Sequence, residues 1–384
     1  MKNVEEEIRD LIQKNGPITF SQFMQICLYS PRGGFYSTRA NKINAEFGTS
    51  PTSHPLFGTL IAKQLKQMWE ILEFPSSFQV IEVGSGDGAL ARSIVDEIQL
   101  LDSDFSDALQ YVATDYEPWW PDSLNESLGW DGKAQNNRSN KREMTWGINR
   151  IKAEGVTPFK NITGCILCNE LVDNFPFHQF VIQDGLVKEI YVTTSNKGFT
   201  EILDIPSNPL ITNRLESLNL SLPEGYRGEI NLSIDTWMAE VSKTLDKGFI
   251  LSIDYGELSE DLYSSKHNNG TLMCYNQHQY NNNPYQNIGS QDITSFVDFT
   301  SLMTAGENQG FTTQGYSLQR KFLENLGFYS YLDSLDTKEL SYARKELSRI
   351  SMKTLIDPED YGDFKVLIQS KGVINNIDLL GFEN

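Results

Sequence analysis

The chain has 384 residues, 39% of them hydrophobic, and its formal net charge is −19. This length and apolar content suffice for one large core with attachments, while no uninterrupted apolar stretch approaches the roughly 18 residues that a membrane span needs. The negative charge would repel a phosphate backbone, so we expect no nucleic-acid partner, and it favours a cationic target such as an arginine-bearing polypeptide.

The first residues and the cysteines bear on compartment and metal content. Residues 1–10 are acidic and amphipathic, unlike a secretion signal or an arginine-rich transit peptide, so we expect a cytoplasmic location. Four cysteines in so long a chain do not make a disulfide framework. Cys165 and Cys168 lie on a predicted strand with their thiols on opposite faces, which favours core packing over metal binding. We therefore predict no structural metal.

Apolar spacing predicts helices at the N-terminus and a loop between them and the core. Three segments show helical periodicity, at residues 4–12, 23–27 and 57–72. Residues 35–51 keep aromatic side chains among turn residues, which predicts an ordered loop that could cover a site. Within this loop, Tyr36, Ser50 and Pro51 are candidate substrate contacts.

From residue 78 onwards, short apolar runs alternate with helical stretches, which predicts parallel strands joined by crossover helices. We expect strands at Phe78–Val83, Tyr111–Asp115, Cys165–Asn169, Phe249–Asp254 and Phe364–Gln369. Helices are predicted at Ala89–Ile98 and from Ile234 to a stop at Lys247-Gly248. The alternation predicts an α/β fold with a doubly wound, Rossmann-like sheet.

A glycine-rich turn follows the first predicted strand. The chain passes from a strand through the turn Gly84-Ser-Gly-Asp-Gly88 into a helix. This arrangement can hold a charged ligand against backbone amides at the N-terminus of a helix. The spacing is G-x-G-x-G rather than the G-x-G-x-x-G of nicotinamide sites. Glu82 would disfavour a pyrophosphate but could accept a hydrogen bond from an ammonium group. An amino-acid-like cofactor is therefore favoured, with contacts from Glu82, Gly84, Ser85, Gly86 and Gly88, although the glycines could also be simple turn residues.

Two strand-end residues extend this candidate cofactor site. Asp115 ends the second predicted strand, where an acid can accept both ribose hydroxyls in nucleoside-binding α/β folds. The alternative interpretation is that Asp115 is an ordinary acid at a strand end and faces water. Asn169 ends the third predicted strand and is also assigned to the cofactor.

An acidic loop comes directly after Asn169. Glu170 and Asp173 lie beyond the carboxyl end of a strand, where ligands of open α/β sheets bind. Two carboxylates can localise the lone pair of a guanidinium on one nitrogen, balance its charge and assist proton loss. We therefore assign Glu170 and Asp173 as the catalytic residues. The alternative is a turn pair that only caps backbone amides.

The remaining sequence completes the predicted organisation. A polar run at residues 133–140 predicts an exposed loop, and alternating β-type stretches such as Phe177–Ile182 predict an inserted lobe. We divide the chain into four parts. Residues 1–74 form the N-terminal helices and the covering loop, and residues 75–174 form the cofactor-binding half of the core. Residues 175–230 form an inserted substrate lobe, and residues 231–384 form the second half of the core with the C-terminal elements.

The ordered motifs resemble a known family. Glu82 and the glycine turn are similar to motif I of class I S-adenosylmethionine methyltransferases. Further motifs resemble the MidA-type methyltransferases of that class: Tyr29-Ser-Pro-Arg-Gly-Gly-Phe-Tyr-Ser-Thr38, Phe47-Gly-Thr-Ser-Pro51, Leu56-Phe-Gly58, Asn169-Glu-Leu-Val-Asp173 and Ile253-Asp-Tyr-Gly256. The likeness continues through Gly225-Tyr226 and Asp292-Ile-Thr294 to residues 364–369.

The resemblance implies a methyltransferase that uses S-adenosyl-L-methionine and is related to a mitochondrial assembly factor for respiratory complex I, which symmetrically dimethylates an arginine of a core subunit. The expected partner is accordingly a protein substrate with a target arginine. Two other functions stay open. One is an assembly chaperone that keeps the cofactor pocket as a relic, and the other is a methyltransferase of small molecules in which residues 31–58 form a closed lid.

Overall fold

The computed structural model describes residues 3–38, 48–116, 148–153, 155–218, 220–276, 279–337, 340–373 and 377–382. The predicted exposed loop at residues 133–140 lies outside these ranges. The chain divides into two compact units. We call Met1–Glu46, Glu170–Ala239 and Asp254–Asn308 the lobe unit, and Phe47–Asn169, Glu240–Ile253 and Gln309–Asn384 the sheet unit. The predicted four-part division stays a prediction.

The sheet unit contains the central sheet. Among the described residues this sheet has seven strands, in the order Thr312–Leu318, Lys365–Lys371, Leu245–Asp254, Ile162–Asn169, Phe78–Val83, Leu109–Asp115 and Asn149–Lys152. The strands from Leu245–Asp254 to Asn149–Lys152 pair in parallel, and Thr312–Leu318 is antiparallel to Lys365–Lys371. The predicted α/β fold with a doubly wound sheet is confirmed. The two edge strands are mostly polar, so they lack the apolar run that identifies buried strands.

Helices surround the strands of the sheet unit. Their bounds are Ser50–Ser53, Leu56–Ile71, Ala89–Leu101, Ser103–Ala108, Gln319–Asn325, Phe328–Ser334 and Tyr342–Thr354, with single 3-10 turns at Leu335–Thr337 and Leu380–Phe382. Leu56–Ile71 packs on Ala89–Leu101, and a Cβ at Gly58 would lie 2.0 Å from Ser93 Oγ. Only glycine fits this crossing, which explains the glycine in the Leu56-Phe-Gly58 motif.

The predicted helix stop at Lys247-Gly248 is wrong. The helix Ser233–Thr244 ends earlier, and the strand Leu245–Asp254 begins at once. Gly248 has φ +142°, and a Cβ there would lie 2.0 Å from the carbonyl oxygen of Gly164 on the neighbouring strand. This glycine permits close approach of two strands rather than ending a helix.

The lobe unit begins with the two expected helices, Val4–Asn15 and Phe20–Tyr29, each of which opens with a capping box. A five-stranded antiparallel sheet consists of Ile18–Thr19, His178–Gln183, Leu186–Ser195, Gly198–Asp204 and Arg227–Ile230 in the described chain. The helix Pro209–Ser217 covers it through Ile211 and Leu215, which pack in one cluster with Phe180 and Tyr226. Most of this sheet lies in the predicted inserted lobe.

Shorter elements complete the lobe unit. They are the strands Gly256–Glu257, Met273–Asn276, Gln279–Asn281, Asp292–Thr294 and Val297–Asp298, the helices Phe35–Thr38, Ser259–Leu262 and Phe299–Asn308, and the 3-10 turns Val172–Asn174 and Ser265–His267.

The segment predicted as an ordered loop contains two short helices that were not expected, Phe35–Thr38 and Ser50–Ser53. The second forms because Pro51 suits a first turn and Thr49 and Thr52 form a capping box. Residues 39–47 of this segment, including Phe47 of the family motif, lie outside the described ranges. Among the described helices, none combines the length and the apolar character that a membrane span requires.

Candidate functional site

The glycine turn has the geometry of a ligand-binding loop. Gly84, Gly86 and Gly88 have φ of +75°, +52° and +77°, in the left-handed region that other residues rarely adopt. The backbone N–H groups of Gly84 and Ser85 donate to the carbonyl oxygen of Thr114, at 2.9 and 3.0 Å. The turn is therefore fixed against the neighbouring strand, and Gly88 leads directly into the helix Ala89–Leu101.

Asp115 and Asn169 flank this turn. Val83 pairs with Thr114 on one side and with Cys168 on the other, so Asp115 and Asn169 both lie one residue beyond it at the same sheet edge. Asp115 Oδ2 accepts a hydrogen bond of 2.8 Å from the N–H of Gly86. The predicted cofactor residues of the sheet unit thus come together at one place.

Glu82 is buried, with 3% of its surface exposed, and its Oε2 accepts a hydrogen bond of 2.8 Å from the hydroxyl of Tyr111. Burial raises the pKa of Glu82 to about 8, although the bond from Tyr111 lowers it and Asp87 and Asp115 raise it further. The carboxyl is thus mostly protonated at neutral pH. Its predicted pairing with an ammonium group stays a prediction, and such a cation would favour the ionised form.

The two predicted catalytic acids lie in the lobe unit. Glu170 is half-buried and adopts φ +51°, a strained conformation for a residue with a side chain. Asp173 lies on the turn Val172–Asn174, where its Oδ2 accepts from the Tyr255 hydroxyl at 2.5 Å and its Oδ1 from Asn174 Nδ2 at 2.7 Å. Burial raises the pKa of Asp173 to about 6, against the lowering effect of these hydrogen bonds.

A third acid, Asp254, holds the loop that carries Glu170 and Asp173. Its Oδ2 lies 3.2, 2.9 and 3.3 Å from the backbone nitrogens of Leu171, Val172 and Asp173, and its Oδ1 accepts from the N–H of Tyr255. Burial raises the pKa of Asp254 well above its usual range, and Asp173 and Glu170 raise it further. The sequence analysis did not assign Asp254 a role. It ends an apolar strand as Asp115 does, and that signal could have identified it.

Tyr36 joins this acid cluster. Its hydroxyl lies 2.6 Å from Asn174 Oδ1 and 2.9 Å from Asp292 Oδ2. Tyr29 stacks on Tyr36 and donates to the carbonyl oxygen of Asn174 at 3.0 Å. The first of the three predicted substrate contacts is therefore placed beside Asp173, together with Asp292, which the sequence analysis noted only as part of a family motif.

The other two predicted substrate contacts, Ser50 and Pro51, lie in the sheet unit. Ser50 is fully buried, and its hydroxyl is 3.2 Å from Oε1 and 3.1 Å from Nε2 of Gln319. Gln319 Nε2 also donates to the carbonyl oxygen of Leu355 at 2.9 Å. These bonds fix the short helix Ser50–Ser53 within its unit. A substrate contact from Ser50 or Pro51 stays a prediction.

Comparison with known proteins decides the class. A family model described as S-adenosyl-L-methionine-dependent methyltransferase matches residues 60–317. The chain belongs to this methyltransferase family. The predicted family resemblance and the predicted cofactor, S-adenosyl-L-methionine, are confirmed.

Relatives of this methyltransferase include the protein arginine methyltransferase NDUFAF7 homolog, mitochondrial, of Drosophila melanogaster, which is 24% identical over 96% of this chain and 85% of the relative. The Caenorhabditis elegans protein of the same name is 25% identical over 83% of this chain and 75% of the relative. Among solved structures, a COG1565 superfamily protein from Burkholderia thailandensis bound to S-adenosyl-homocysteine has a TM-score of 0.83 and 25% identity, over 99% of this chain and 94% of that one.

The glycine turn of the methyltransferase fits the family's cofactor on its own geometry. A Cβ added at Gly86 meets no atom within 4 Å, so the space beside the turn is open. The Ser85 hydroxyl is buried and has no hydrogen-bond partner among the described residues. A buried hydroxyl without a partner costs about 1–3 kcal/mol, which a bound polar ligand would offset.

Glu82 should make the stability of the methyltransferase depend on pH. Its folded pKa of about 8 exceeds the ordinary glutamate value of 4.5, so between these pH values the folded state holds a proton that the unfolded state has lost. The stabilisation of the folded state by this bound proton is complete below about pH 4.5 and is lost as the pH rises through 8. As the pH rises from 5 to 8, the unfolding free energy of Glu82→Gln should therefore increase by about 2–4 kcal/mol relative to that of the wild type.

Urea unfolding at pH 5, 6.5 and 8 measures this gain. Glu73→Gln, an exposed acid of the same unit, is the matched control and should run parallel to wild type. If the unfolding free energy of Glu82→Gln also changes with pH as that of the wild type does, Glu82 is ionised throughout this range.

Proposed function

We propose that this enzyme transfers methyl groups from S-adenosylmethionine to an arginine side chain of a protein partner. The observation that carries the proposal is the acid cluster of the lobe unit, in which Asp173 lies between Tyr255 and Asn174, and Tyr36 joins Asn174 to Asp292. A group of carboxyls beside aromatic rings suits a planar cation. The relatives named protein arginine methyltransferases support the same substrate class.

Each acid has a distinct task in this proposal. Asp254 accepts from four backbone N–H groups, so it positions the turn rather than binding substrate. One oxygen of Asp173 accepts from Tyr255 and the other from Asn174 Nδ2, and the carboxylate supplies the negative charge with which a guanidinium pairs. Glu170 is half-buried, so it accepts the proton that the methylated guanidinium loses and passes it to solvent.

The cofactor, when bound, supplies a methyl group that is already activated on a sulfonium. The chain then needs chiefly to align the guanidinium nitrogen and to balance its charge, since well-oriented reactants gain several kcal/mol from positioning alone. The glycine turn, Asp115 and Asn169 hold the cofactor, while Glu170 and Asp173 hold the arginine.

The direct test is product analysis. The purified chain is incubated with methyl-labelled S-adenosylmethionine and with arginine-bearing proteins, beginning with a core subunit of respiratory complex I, the partner that the family resemblance implies. Acid hydrolysis should release labelled methylarginine, and Glu170→Gln should abolish it. Cofactor binding without any methylated product would favour the chaperone, and label in a small metabolite would favour the small-molecule enzyme.

A further inference from the structure

A polar cleft of about 810 Å³ lies in the lobe unit, outside the residues assigned above. Its walls include the start of the first helix, the segment Arg32-Gly33, the hairpin tip from Asn196 to Phe199, and residues near Ser290. This volume is within the range of about 300–1,000 Å³ that bound ligands occupy. We call it the cationic cleft because its charged lining residues are Arg9, Arg32, Lys197 and Glu5.

The balance of charge in the cationic cleft is positive. Arg9 is paired with Glu5 at 2.8 Å and lies over the ring of Phe199, so this pair is neutral as a unit. Arg32 and Lys197 are exposed, and among the described residues neither side chain has an ion-pair partner. Two unpaired cations therefore face one cleft of a chain whose net charge is −19.

Two wall segments of the cationic cleft lead along the chain into the acid cluster. Arg32 is four residues before Tyr36, and Ser290 is two residues before Asp292. Tyr36 and Asp292 are in hydrogen-bond contact at 2.9 Å. The two segments also meet within the cleft wall, where a Cβ at Gly289 would lie 2.5 Å from the carbonyl oxygen of Gly33. The segments at Gly33 and Ser290 thus belong to the cleft wall and lie two or three residues from the acid cluster.

We propose that the cationic cleft binds an acidic segment of the protein substrate next to the target arginine, an inference that rests on the proposed function. The acid cluster takes the cationic side chain, and Arg32 and Lys197 take carboxylates of the same polypeptide. Arg32 and Tyr36 are four residues apart, and four extended residues span at most about 14 Å, so the acid that Arg32 binds is expected within about four positions of the arginine. The enzyme would select arginines with acidic neighbours, although its net charge repels acidic peptides as a whole.

Peptide binding tests this specificity. The probes are two fluorescent ten-residue peptides with one central arginine, one carrying three glutamates within five positions of it and the other carrying glutamines instead. Fluorescence anisotropy measures their binding to the full chain, to Arg32→Glu/Lys197→Glu, and to the control Lys14→Glu/Lys266→Glu. The control changes the net charge equally at two exposed lysines of the same unit that lie outside the cleft.

The cleft variant should bind the glutamate peptide about tenfold more weakly, with the control within about twofold of wild type and the glutamine peptide unaffected throughout. Equal binding of both peptides to wild type, or unchanged binding of the glutamate peptide to the cleft variant, would overturn the inference. Turnover of both peptides is measured in parallel. If neither is methylated, the proposed function fails, while the anisotropy result still decides whether the cleft recognises acids.

Discussion

Asp173→Asn should lower kcat for methyl transfer by about a thousandfold, the middle of the range for a positioned acid or base. Asparagine keeps the size of the side chain but cannot supply the negative charge that pairs with a guanidinium. The wild-type enzyme should lose kcat/KM as the pH falls through about 6, because protonation of Asp173 removes the same charge. The residual activity of the variant should lack this inflection. Steady-state kinetics between pH 5 and 8.5 measures both effects.

The matched control is Asp184→Asn, an exposed acid in a turn of the same unit, which should leave kcat unchanged. Affinity for S-adenosylmethionine should stay within about twofold in both variants, because an interaction with the arginine contributes to turnover and not to cofactor binding. Full activity in Asp173→Asn would remove Asp173 from the reaction. A parallel loss of cofactor affinity would instead indicate a structural role.

Gly86→Val should abolish cofactor binding while the protein still folds. The left-handed backbone at Gly86, φ +52°, should cost the variant about 1–2 kcal/mol of stability. Its side chain would enter the open space beside the turn, where an added Cβ meets no protein atom within 4 Å. Thermal unfolding with S-adenosylmethionine at 100 times the wild-type Kd should stabilise the wild type by about 2.7 kcal/mol and the variant not at all.

The control variant Gly310→Val distinguishes the stability lost through backbone strain from the loss of cofactor binding. Gly310 also has a positive φ, +84°, and also has no atom within 4 Å of an added Cβ, but it lies away from the glycine turn in the same unit. This control should lose similar stability and retain the full shift with cofactor. A normal shift in Gly86→Val would place the cofactor elsewhere.

The parts of the fold that were predictable from sequence are those whose signals are local. The strand Phe78–Val83 has the predicted bounds because every residue but one is buried and four of its six residues are apolar. The glycine turn was predictable because strand, glycines and helix follow one another within a few residues. The polar edge strand Thr312–Leu318 carries no such pattern and was missed.

The contacts that were not predictable from the sequence join residues far apart along the chain. Gly248 was assigned to a helix end, but its conformation is set by Gly164 on another strand. Ser50 gave no sign of its bond to Gln319, which lies 269 residues away. Asp254 acts on Leu171, Val172 and Asp173, more than 80 residues earlier. Spacing rules describe neighbours on one helix or strand, so they cannot detect such pairs.

The bond between Asp254 and the turn also orders events during synthesis. Three backbone N–H groups at positions 171–173 lack this acceptor until the ribosome has added about 80 more residues, and unpaired backbone groups are poorly tolerated in a protein interior. The nascent chain can therefore complete the surroundings of its glycine turn early, while the conformation of Asp173 must wait for the strand that ends at Asp254. A ribosome stalled before residue 254 would carry a chain in which the loop at residues 170–173 has no fixed shape.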